Sequence, residues 1–445
     1  MALISIGGAA ILASMAVLAW LQAPLGSPVF FAVAAITVAV YAALMYRLLR
    51  HGAPPLPRRW LTTALLLAVA FRVPLAIPRV NAQNDMIRYL WDGRVQRLGY
   101  NPYLVVPADP AMAWTHTPET RAMPSRRAHT PYPAAAQLFF RLVVTVRDSP
   151  RAMKFALVLC DLLTIFALRA WLLASGRSPW LTLAYAWNPL VLFEVAHSGH
   201  IDALGTLWIV VSAWMLARRR PALASVAFVL AVATKLLPIV LAPIYWGRIR
   251  VRDAAIAGAV LAALYLPFAS PGAGALPLGA VPNVVDYIRF NGPVFHVLAD
   301  VITPRGAAAA AVLGGLLVAI VMRWRREVDD PAAWAWPMAV ALAAAPVIYP
   351  WYLLPITPFL FTVETVPLLV WSLSVIPVYI VWERSRAGAR WRVPLWTSAL
   401  EYGAALVSAA WLRVGLFPSL SGFQRHRDPQ HQIHDGAGKR GGQNG

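Results

Sequence analysis

The sequence predicts an all-α polytopic membrane protein, on the basis of its composition and of the pattern of its apolar residues. Of the 445 residues, 59% are hydrophobic and 13% are charged, and the mean hydropathy is +0.60. A soluble fold of this length does not tolerate such a composition. Continuously apolar stretches, each long enough to cross about 30 Å of hydrocarbon as a helix, recur along most of the chain. They do not alternate apolar and polar residues, which argues against a membrane β-barrel.

The apolar stretches define one predicted membrane domain, residues 1–418, with about 11 to 13 transmembrane or half-spanning helices. Two segments inside it are too polar or too irregular to span, namely a long first loop at 81–151 and a Pro- and Gly-rich loop at 271–305. The basic tail, 419–445, is expected to be disordered. The predicted spans are 2–22, 28–49, 60–80, 152–174, 180–196, 201–217, 222–246, 254–270, 306–322, 332–349, 351–382 and 396–416.

Arginine-rich loops indicate the orientation of the spans. The loop 47–59 carries four arginines, whereas the loop 23–28 carries no charge. Basic loops lie on the cytoplasmic side, so both long loops, 81–151 and 271–305, are predicted to lie outside. The formal net charge of +20 then reflects orientation and contact with anionic lipid rather than nucleic-acid binding. Past Glu364 the sides are ambiguous, because both 384–392 and the tail are basic.

The span 222–246 is predicted to be a re-entrant hairpin. Arginine runs flank it on both sides and both belong on the cytoplasmic side, which requires an even number of crossings. Lys235 and Pro238 interrupt the stretch, so two half-length helices can enter and return with Lys235 near the tip. Broken backbone at that depth is tolerated only against protein or a wet cavity.

Polar residues from several loops converge on the outer face in this topology. Ionisable groups at such depth cost several kcal/mol unless they are paired or functional, so one shared site is the economical interpretation. The candidate site residues are Asp85, Arg88, Asp92, His200, Asp202, Lys235, Arg289, Asn291, Tyr349, Trp351 and Tyr352.

Five segments between residues 81 and 360 resemble successive signatures of the GT-C superfamily. They are NDMIRYLWDGRVQRLGYNPY, WNPLVLFEVAHSGHIDAL, ATKLLPIVLAPIYW, RFNGPVFHVL and YPWYLLPITP. The resemblance is to the polytopic mannosyltransferases of bacteria that use polyprenyl-phosphate mannose. The order of the five segments along the chain is similar to that in the glycosylphosphatidylinositol mannosyltransferase I family. It implies a GT-C-type helical bundle with a long first outer loop.

The resemblance also implies an activity, the inverting transfer of mannose or a related hexose from a polyprenyl-phosphate carrier to a lipid- or glycan-linked hydroxyl. Asp85 takes the place of the general base. The residues themselves agree, because an attacking hydroxyl must lose its proton and a carboxylate within hydrogen-bond reach can accept it. The leaving phosphate gains charge and needs cations, for which Lys235 is the first candidate and Arg88 and Arg289 are the others.

The spacing within the first segment assigns separate roles to its charges. Asp85, Arg88 and Asp92 are three and four residues apart, so in a helix they share one face, and Asp92 can orient Arg88. His200 and Asp202 are assigned to binding of substrate hydroxyls. The resembling families often have paired acids where Asn84 and Asp85 stand here, and HSGHID matches no strong zinc signature. No cofactor is therefore predicted, and a divalent metal is not supported.

The segment TPYPAAAQLFF resembles the YPP-type segment of these families and is predicted to form a helix in the membrane interface that guides a lipid chain. The expected partners are a polyprenyl-phosphate sugar donor, a lipid or glycan acceptor and membrane lipids. High arginine with little lysine suggests a bacterial genome, hence the cytoplasmic (inner) membrane, with the active site on its outer face.

Other interpretations remain open from the sequence alone. A transporter or flippase for lipid-linked sugars also needs broken helices and buried charge. A scaffold for cell-wall synthesis is a third possibility. At the level of residues, Asp85 can cap a helix, Lys235 can snorkel toward headgroups, and the aromatic run YPWY can belong to the interfacial belt.

Overall fold

The computed structural model describes residues 1–77, 85–269 and 280–413, and most of these residues are helical. In the described residues, extended backbone pairs at an isolated bridge between Phe290 and Val347. The α-helices are α1 (Ala2–Trp20), α2 (Pro28–His51), α3 (Arg58–Ala76), α4 (Asp85–Arg97), α5 (Ala134–Val146), α6 (Pro150–Ala174), α7 (Leu183–Ala186), α8 (Pro189–Val191), α9 (Asp202–Ala217), α10 (Pro221–Val232), α11 (Val251–Tyr265), α12 (Val281–Tyr287), α13 (Pro293–Ile302), α14 (Pro304–Arg325), α15 (Pro331–Ala343), α16 (Val366–Ser374), α17 (Ile380–Arg386) and α18 (Leu395–Arg413).

Seven of the described helical stretches are long and apolar enough to cross a membrane. They are Ala2–Trp20, Pro28–His51, Arg58–Ala76, Pro150–Ala174, Val251–Phe268, Pro304–Arg325 and Val363–Arg386. The prediction of an all-α polytopic membrane protein is confirmed. The predicted tail, 419–445, and Asn84 lie outside the described residues.

The long helices begin where the sequence supplies starting signals. Ser27 precedes α2 and its hydroxyl accepts a hydrogen bond from the Phe30 amide at 3.2 Å, with Pro28 as the first helical residue. Ser149 and Pro150 repeat this arrangement at the start of α6. A serine cap satisfies one of the free amides of the first turn, and proline has no amide to lose there. The predicted spans 28–49 and 152–174 accordingly match these helices to within a few residues.

A buried ion pair joins α3 to α6. The Arg72 guanidinium contacts the Asp161 carboxylate, and the two side chains are 2% and 0% exposed. Arg72 also donates to the backbone oxygens of Ala68 at 2.6 Å and of Ala186 at 3.0 Å. Because an unpaired charge at this depth costs several kcal/mol, the pair fixes the two helices and the segment around Ala186 relative to one another.

The predicted span 180–196 is wrong as a continuous helix. The chain there forms short pieces, of which α7, α8 and a π-helix at Leu192–His197 are the main ones, and it is enclosed by other helices. The Tyr41 hydroxyl donates to the Ala184 carbonyl at 2.6 Å, and the Trp187 indole donates to the Ala64 carbonyl at 2.9 Å. Asn188 and Pro189 interrupt the helix, and irregular backbone is tolerated at depth because neighbouring protein supplies partners.

The chain at 222–246 folds back as a hairpin, as predicted, whereas its re-entry into the membrane stays a prediction. Helix α10 ends at Val232, the chain turns at 233–236, and a 3-10 helix, Leu237–Tyr245, returns along it. The Tyr245 ring lies 4.6 Å from the Phe228 ring, and its hydroxyl contacts that of Ser212. Lys235 therefore lies in the turn, as predicted.

The predicted single span 351–382 is wrong, because the chain passes twice along the bundle there. A 3-10 helix, Pro350–Phe359, runs down to the end of α6, where Phe359 packs on Trp171 with ring centroids 5.5 Å apart. The stretch Val363–Arg386 then returns, and Arg386 donates to the Leu25 carbonyl. Pro355 and Pro358 within the first pass remove amides that a regular α-helix needs.

The bundle has two chemically different ends. The arginines predicted to face the cytoplasm gather at one of them, where Arg248 donates to the Arg326 carbonyl at 3.3 Å and Arg323 donates to the Trp246 carbonyl. Most candidate site residues gather at the other. The segment left ambiguous by the sequence joins that second end, since the Trp391 ring lies 5.8 Å from the Phe290 ring.

Candidate functional site

Helix α4 carries the three charges of the first segment on one face, as the spacing predicts. The Arg88 Nε lies 2.6 Å from the Asp92 carboxylate, and Arg88 also donates to the Ala128 carbonyl at 3.1 Å. Asp92 accepts a further hydrogen bond from the Gln137 side chain at 3.0 Å. Asp92 thus orients Arg88 and ties α4 to α5. Among the described residues, the Nη2 of Arg88 has no hydrogen-bond partner, and direct binding of substrate by Arg88 or Asp92 stays a prediction.

Asp85 begins α4 and remains accessible. Its side chain is 35% exposed, and Oδ2 lies 4.0 Å from the Nδ1 of His200. Burial raises the pKa of Asp85 above its usual range, the charge of Lys235 opposes that rise, and the charge of Asp202 adds to it. A carboxylate with a raised pKa is a stronger base than a free aspartate, so this group is suited to accept a proton.

Lys235 lies in the turn of the hairpin and pairs with the first residue of α9. Its Nζ is 3.2 Å from the Asp202 carboxylate, and the two side chains are 20% and 3% exposed. The ammonium also lies 4.6 Å from the centroid of the Tyr352 ring and 5.8 Å from that of Tyr132. Aromatic faces stabilise a cation at such distances. Lys235 points into the protein, and the interpretation that it snorkels toward headgroups is wrong.

The start of α5 and the residues just before it pack against the turn of the hairpin. The amide of Ala135 donates to the Ala233 carbonyl at 2.8 Å, which satisfies an acceptor that the break in α10 leaves free. Tyr132 is held in place by a hydrogen bond from the Tyr103 hydroxyl to its carbonyl at 2.8 Å. The predicted helix of TPYPAAAQLFF is thereby confirmed as α5, whereas its position in a membrane interface stays a prediction. Phe140 is buried rather than lipid-facing.

A column of stacked rings forms one side of the site. The His200 ring stacks on Trp351 with centroids 4.0 Å apart and planes 10° apart, and Trp351 stacks on Tyr349 at 4.4 Å and 5°. Phe290 extends the column, 4.4 Å from Tyr349. Trp351 is only 7% exposed, so assigning the YPWY run to an interfacial belt is wrong for that residue. Tyr349, Trp351 and Tyr352 all join the candidate site, as predicted.

Two predicted site residues are placed elsewhere. The Arg289 guanidinium donates to the backbone carbonyls of Val285 at 2.9 Å and Ile288 at 2.8 Å, and it lies over the Phe295 ring. Among the described residues, no contact joins it to Lys235 or Asp85. Its predicted place beside them is wrong, because the bridge at Phe290 directs the neighbouring side chains away from the stacked rings.

Asn291 holds a backbone position rather than facing the site. Its φ is +54°, it is 6% exposed, and its amide donates to the Glu401 carboxylate at 2.7 Å. The Ser398 hydroxyl donates to its side-chain oxygen at 3.1 Å, and the Tyr402 hydroxyl donates to its backbone carbonyl at 2.9 Å. Asn291 therefore anchors helix α18, and its predicted role in substrate binding stays a prediction that no contact supports.

Sequence reasoning missed Glu194. This carboxyl is 0% exposed, and its Oε2 lies 3.2 Å from the Nε2 of His200. The signal was present, because Glu194 is the acidic residue inside the apolar predicted span 180–196, and such residues are functional by default. Around it, in the ranges that the structure describes, no group of three or more His, Cys, Asp or Glu residues is arranged to hold a metal ion.

The fold and the site together define an integral membrane protein with an ionic cluster sheltered at one end of a helical bundle. No protein-family model, no curated protein and no solved structure matches the chain. The chemistry available to the chain therefore lies in the cluster formed by Asp85, Glu194, His200, Asp202 and Lys235.

Proposed function

We propose that this protein is a membrane hexosyltransferase of GT-C architecture, which moves mannose or a related hexose from a polyprenyl-phosphate carrier to a hydroxyl of a lipid- or glycan-linked acceptor. The observation that supports the proposal is the position of Asp85. Its carboxylate is partly exposed near a half-buried cation, Lys235, and beside His200. An accessible base next to a fixed positive charge is what the attack of a hydroxyl on a phosphate-activated sugar requires.

Asp85 acts as the general base in the proposed reaction. The acceptor oxygen forms a bond to the anomeric carbon while the bond from that carbon to the phosphate oxygen breaks, and Asp85 takes the proton of the hydroxyl. Attack and departure on opposite faces of the sugar invert the anomeric centre, by analogy with inverting glycoside hydrolysis. The polyprenyl phosphate leaves with both electrons of the broken bond.

Lys235 stabilises the phosphate in this scheme. An ammonium group carries three donors, and its contact with Asp202 uses one of them. The remaining donors are available to the phosphate of the donor lipid, whose charge grows as the bond breaks. The rings of Tyr132 and Tyr352 keep water from the cation on the sides that they cover.

The surrounding elements suit the other parts of the substrates. Tyr349 and Tyr352 are only half-buried, so their rings offer apolar surface against which a sugar ring can pack. Helix α5 is amphipathic, with Leu142 and Val146 exposed at 62% and 81%, and can guide a polyprenyl chain. We assign the site to the outer face of a bacterial cytoplasmic membrane, since the arginine-rich loops favour this orientation.

A transporter or flippase for lipid-linked sugars is the second candidate. The broken hairpin around Lys235 favours it, because such half-helices line binding sites in transporters. It requires a pathway that opens to both sides in turn, whereas the bonds from Ala135 to Ala233 and from Lys235 to Asp202 hold the hairpin against its neighbours. The enzyme requires no such movement, which is why we prefer it.

Reconstitution into liposomes with radiolabelled polyprenyl-phosphate mannose and extracted membrane lipids tests the proposal. Asp85→Asn should lower transfer by about 10²- to 10⁴-fold, because the amide cannot accept the proton. Asp148→Asn is the matched control, since Asp148 pairs with Arg94 away from the cluster, and it should keep full activity. Unchanged transfer by Asp85→Asn would reject the base, and movement of the labelled lipid across the bilayer without transfer would favour the flippase.

A further inference from the structure

Glu194 and His200 are brought together by an unusual local backbone. The stretch Leu192–His197 is a π-helix, a form that is rare and frequently found at functional sites. Gly199 follows with φ +76°, and the chain folds back so that the His200 amide donates to the Glu194 carbonyl at 3.0 Å. The imidazole thereby lies against the Glu194 side chain, at 3.2 Å.

The turn at Gly199 packs against the start of helix α4, next to Asp85. A Cβ at Gly199 would lie 2.9 Å from the Sδ of Met86, the residue after Asp85, so the turn and α4 approach as closely as a glycine permits. His200 Nδ1 then faces Asp85 at 4.0 Å, and stacking on Trp351 fixes the plane of the ring. The imidazole therefore stands between two carboxyl groups, one buried and one accessible.

The surroundings of Glu194 favour its neutral form. Among the described residues, no aligned hydrogen bond reaches either carboxyl oxygen, and the Nε2 of His200 lies within hydrogen-bond distance of Oε2, at 3.2 Å. The nearby charges are the carboxylates of Asp85 and Asp202, which disfavour a third anion, and the hydroxyl of Ser198 is a weak hydrogen-bond partner. A fully buried carboxylate without a cation costs several kcal/mol, and protonation avoids this cost.

His200 is also neutral. Burial lowers its pKa well below the usual range, and the positive charge of Lys235 lowers it further. Lys235 in turn is engaged by Asp202, and the Lys154 ammonium donates to the Leu75 carbonyl at 2.6 Å. A neutral imidazole has one N–H and one bare nitrogen, and the hydrogen bond at one nitrogen decides the state of the other.

We propose that Glu194 is a neutral carboxylic acid that donates a hydrogen bond to Nε2 of His200, and so selects the tautomer whose Nδ1–H faces Asp85. The catalytic part of this inference rests on the proposed function, whereas the protonation states do not. Glu194 and His200 are positioning residues. The Nδ1–H holds the Asp85 carboxylate toward the acceptor, and the 4.0 Å separation shortens when substrate completes the site.

Nitrogen-15 NMR of the histidine-labelled protein tests the tautomer, with His200→Gln to assign the signals. The wild type should show a protonated Nδ1 and a bare Nε2 that accepts a hydrogen bond. Glu194→Gln keeps a neutral donor and should preserve this pattern, whereas Glu194→Leu should lose it. An imidazolium, or the Nε2–H tautomer in the wild type, would overturn the proposal.

Infrared difference spectroscopy and kinetics complete the test. The carbonyl band of a protonated carboxyl should disappear in Glu194→Gln, and Glu401→Gln is the matched control for the other buried glutamate. Transfer by Glu194→Gln should stay within about tenfold of wild type, and Glu194→Leu should lose about 100-fold, mainly in kcat. Equal losses in the two variants would contradict a neutral donor. If Asp85→Asn proves fully active, the proposed function fails while the spectroscopic result still stands.

Discussion

The ammonium of Lys235 lies 3.2 Å from the carboxylate of Asp202, which joins the turn of a broken hairpin to the first turn of a separate helix. The Asp202 side chain is almost fully enclosed, at 3% exposure, whereas that of Lys235 is 20% exposed. The pair thus has an inner and an outer member. The inner one fixes the position of the cation, and the outer one is free to meet a ligand.

Lys235→Met should impair both stability and function, and a second substitution separates the two effects. It leaves the Asp202 carboxylate buried without a partner, so we expect a loss of about 3–5 kcal/mol in the free energy of unfolding. The double variant Lys235→Met/Asp202→Asn should recover most of that stability. It should not recover binding of polyprenyl phosphate, measured with a fluorescent donor lipid. Recovered binding would show that Lys235 has only a structural role.

The pH profile of transfer should report Asp85. The carboxylate is the active form, so kcat/KM falls as the pH drops through the pKa of Asp85. Because burial raises this pKa above the usual 3.8, the fall comes at a higher pH than for a free aspartate. Removing the positive charge in Lys235→Met should raise the pKa of Asp85 further, so that activity falls at a still higher pH. Removing the negative charge in Asp202→Asn should lower this pKa, so that activity falls at a lower pH. Shifts in the same direction in both variants would contradict this assignment.

Gly199→Ala should cost more activity than its strain alone explains. A left-handed conformation costs a residue with a Cβ about 1–2 kcal/mol, and here the new methyl group also meets the Met86 Sδ at 2.9 Å. Gly176→Ala is the matched control, because its φ is +66° and nothing lies within 4 Å of the added carbon. Both variants should lose stability in thermal unfolding, but only Gly199→Ala should lose transfer. Equal activities would show that the turn does not position Asp85.

Asp92→Asn should unfold more easily than Asp148→Asn. Asp92 is fully buried between Arg88 and Gln137, so its neutralisation leaves a buried guanidinium unpaired and should cost about 3–5 kcal/mol. Asp148 is 22% exposed, and its pair with Arg94 should contribute about 1 kcal/mol or less. Thermal unfolding in detergent compares the two. A stable but inactive Asp92→Asn would indicate a direct role in chemistry instead.

Local signals in the sequence predict much of this structure. Serine followed by proline marks the starts of α2 and α6, and the three- and four-residue spacing places Asp85, Arg88 and Asp92 on one helical face. The interruption at Lys235, together with arginine on both flanks, predicts the hairpin. These features depend on neighbouring residues and on the requirement that charge stays out of lipid.

Other features depend on contacts between distant residues and were not predictable in this way. The sequence around Ala184 is typical of a spanning helix, but the chain there forms short, irregular pieces. Distant helices supply hydrogen-bond partners to its backbone, for example the Tyr41 hydroxyl to the Ala184 carbonyl. Arg289 and Asn291 lie close in sequence to Phe290, yet the bridge to Val347 turns them away from the rings. The Glu194–His200 contact depends on a π-helix, which the periodicity of apolar residues in the sequence does not predict.

The bond between the Ala135 amide and the Ala233 carbonyl also bears on biogenesis. The ribosome makes residues 134–146 before it makes the hairpin, so the donor of this bond exists when the acceptor enters the bilayer. An unpaired carbonyl in hydrocarbon is costly, and the partner that removes this cost is already in place. An earlier part of the chain therefore supplies the partner for this carbonyl, and later segments such as the one with Tyr352 pack on the hairpin afterwards.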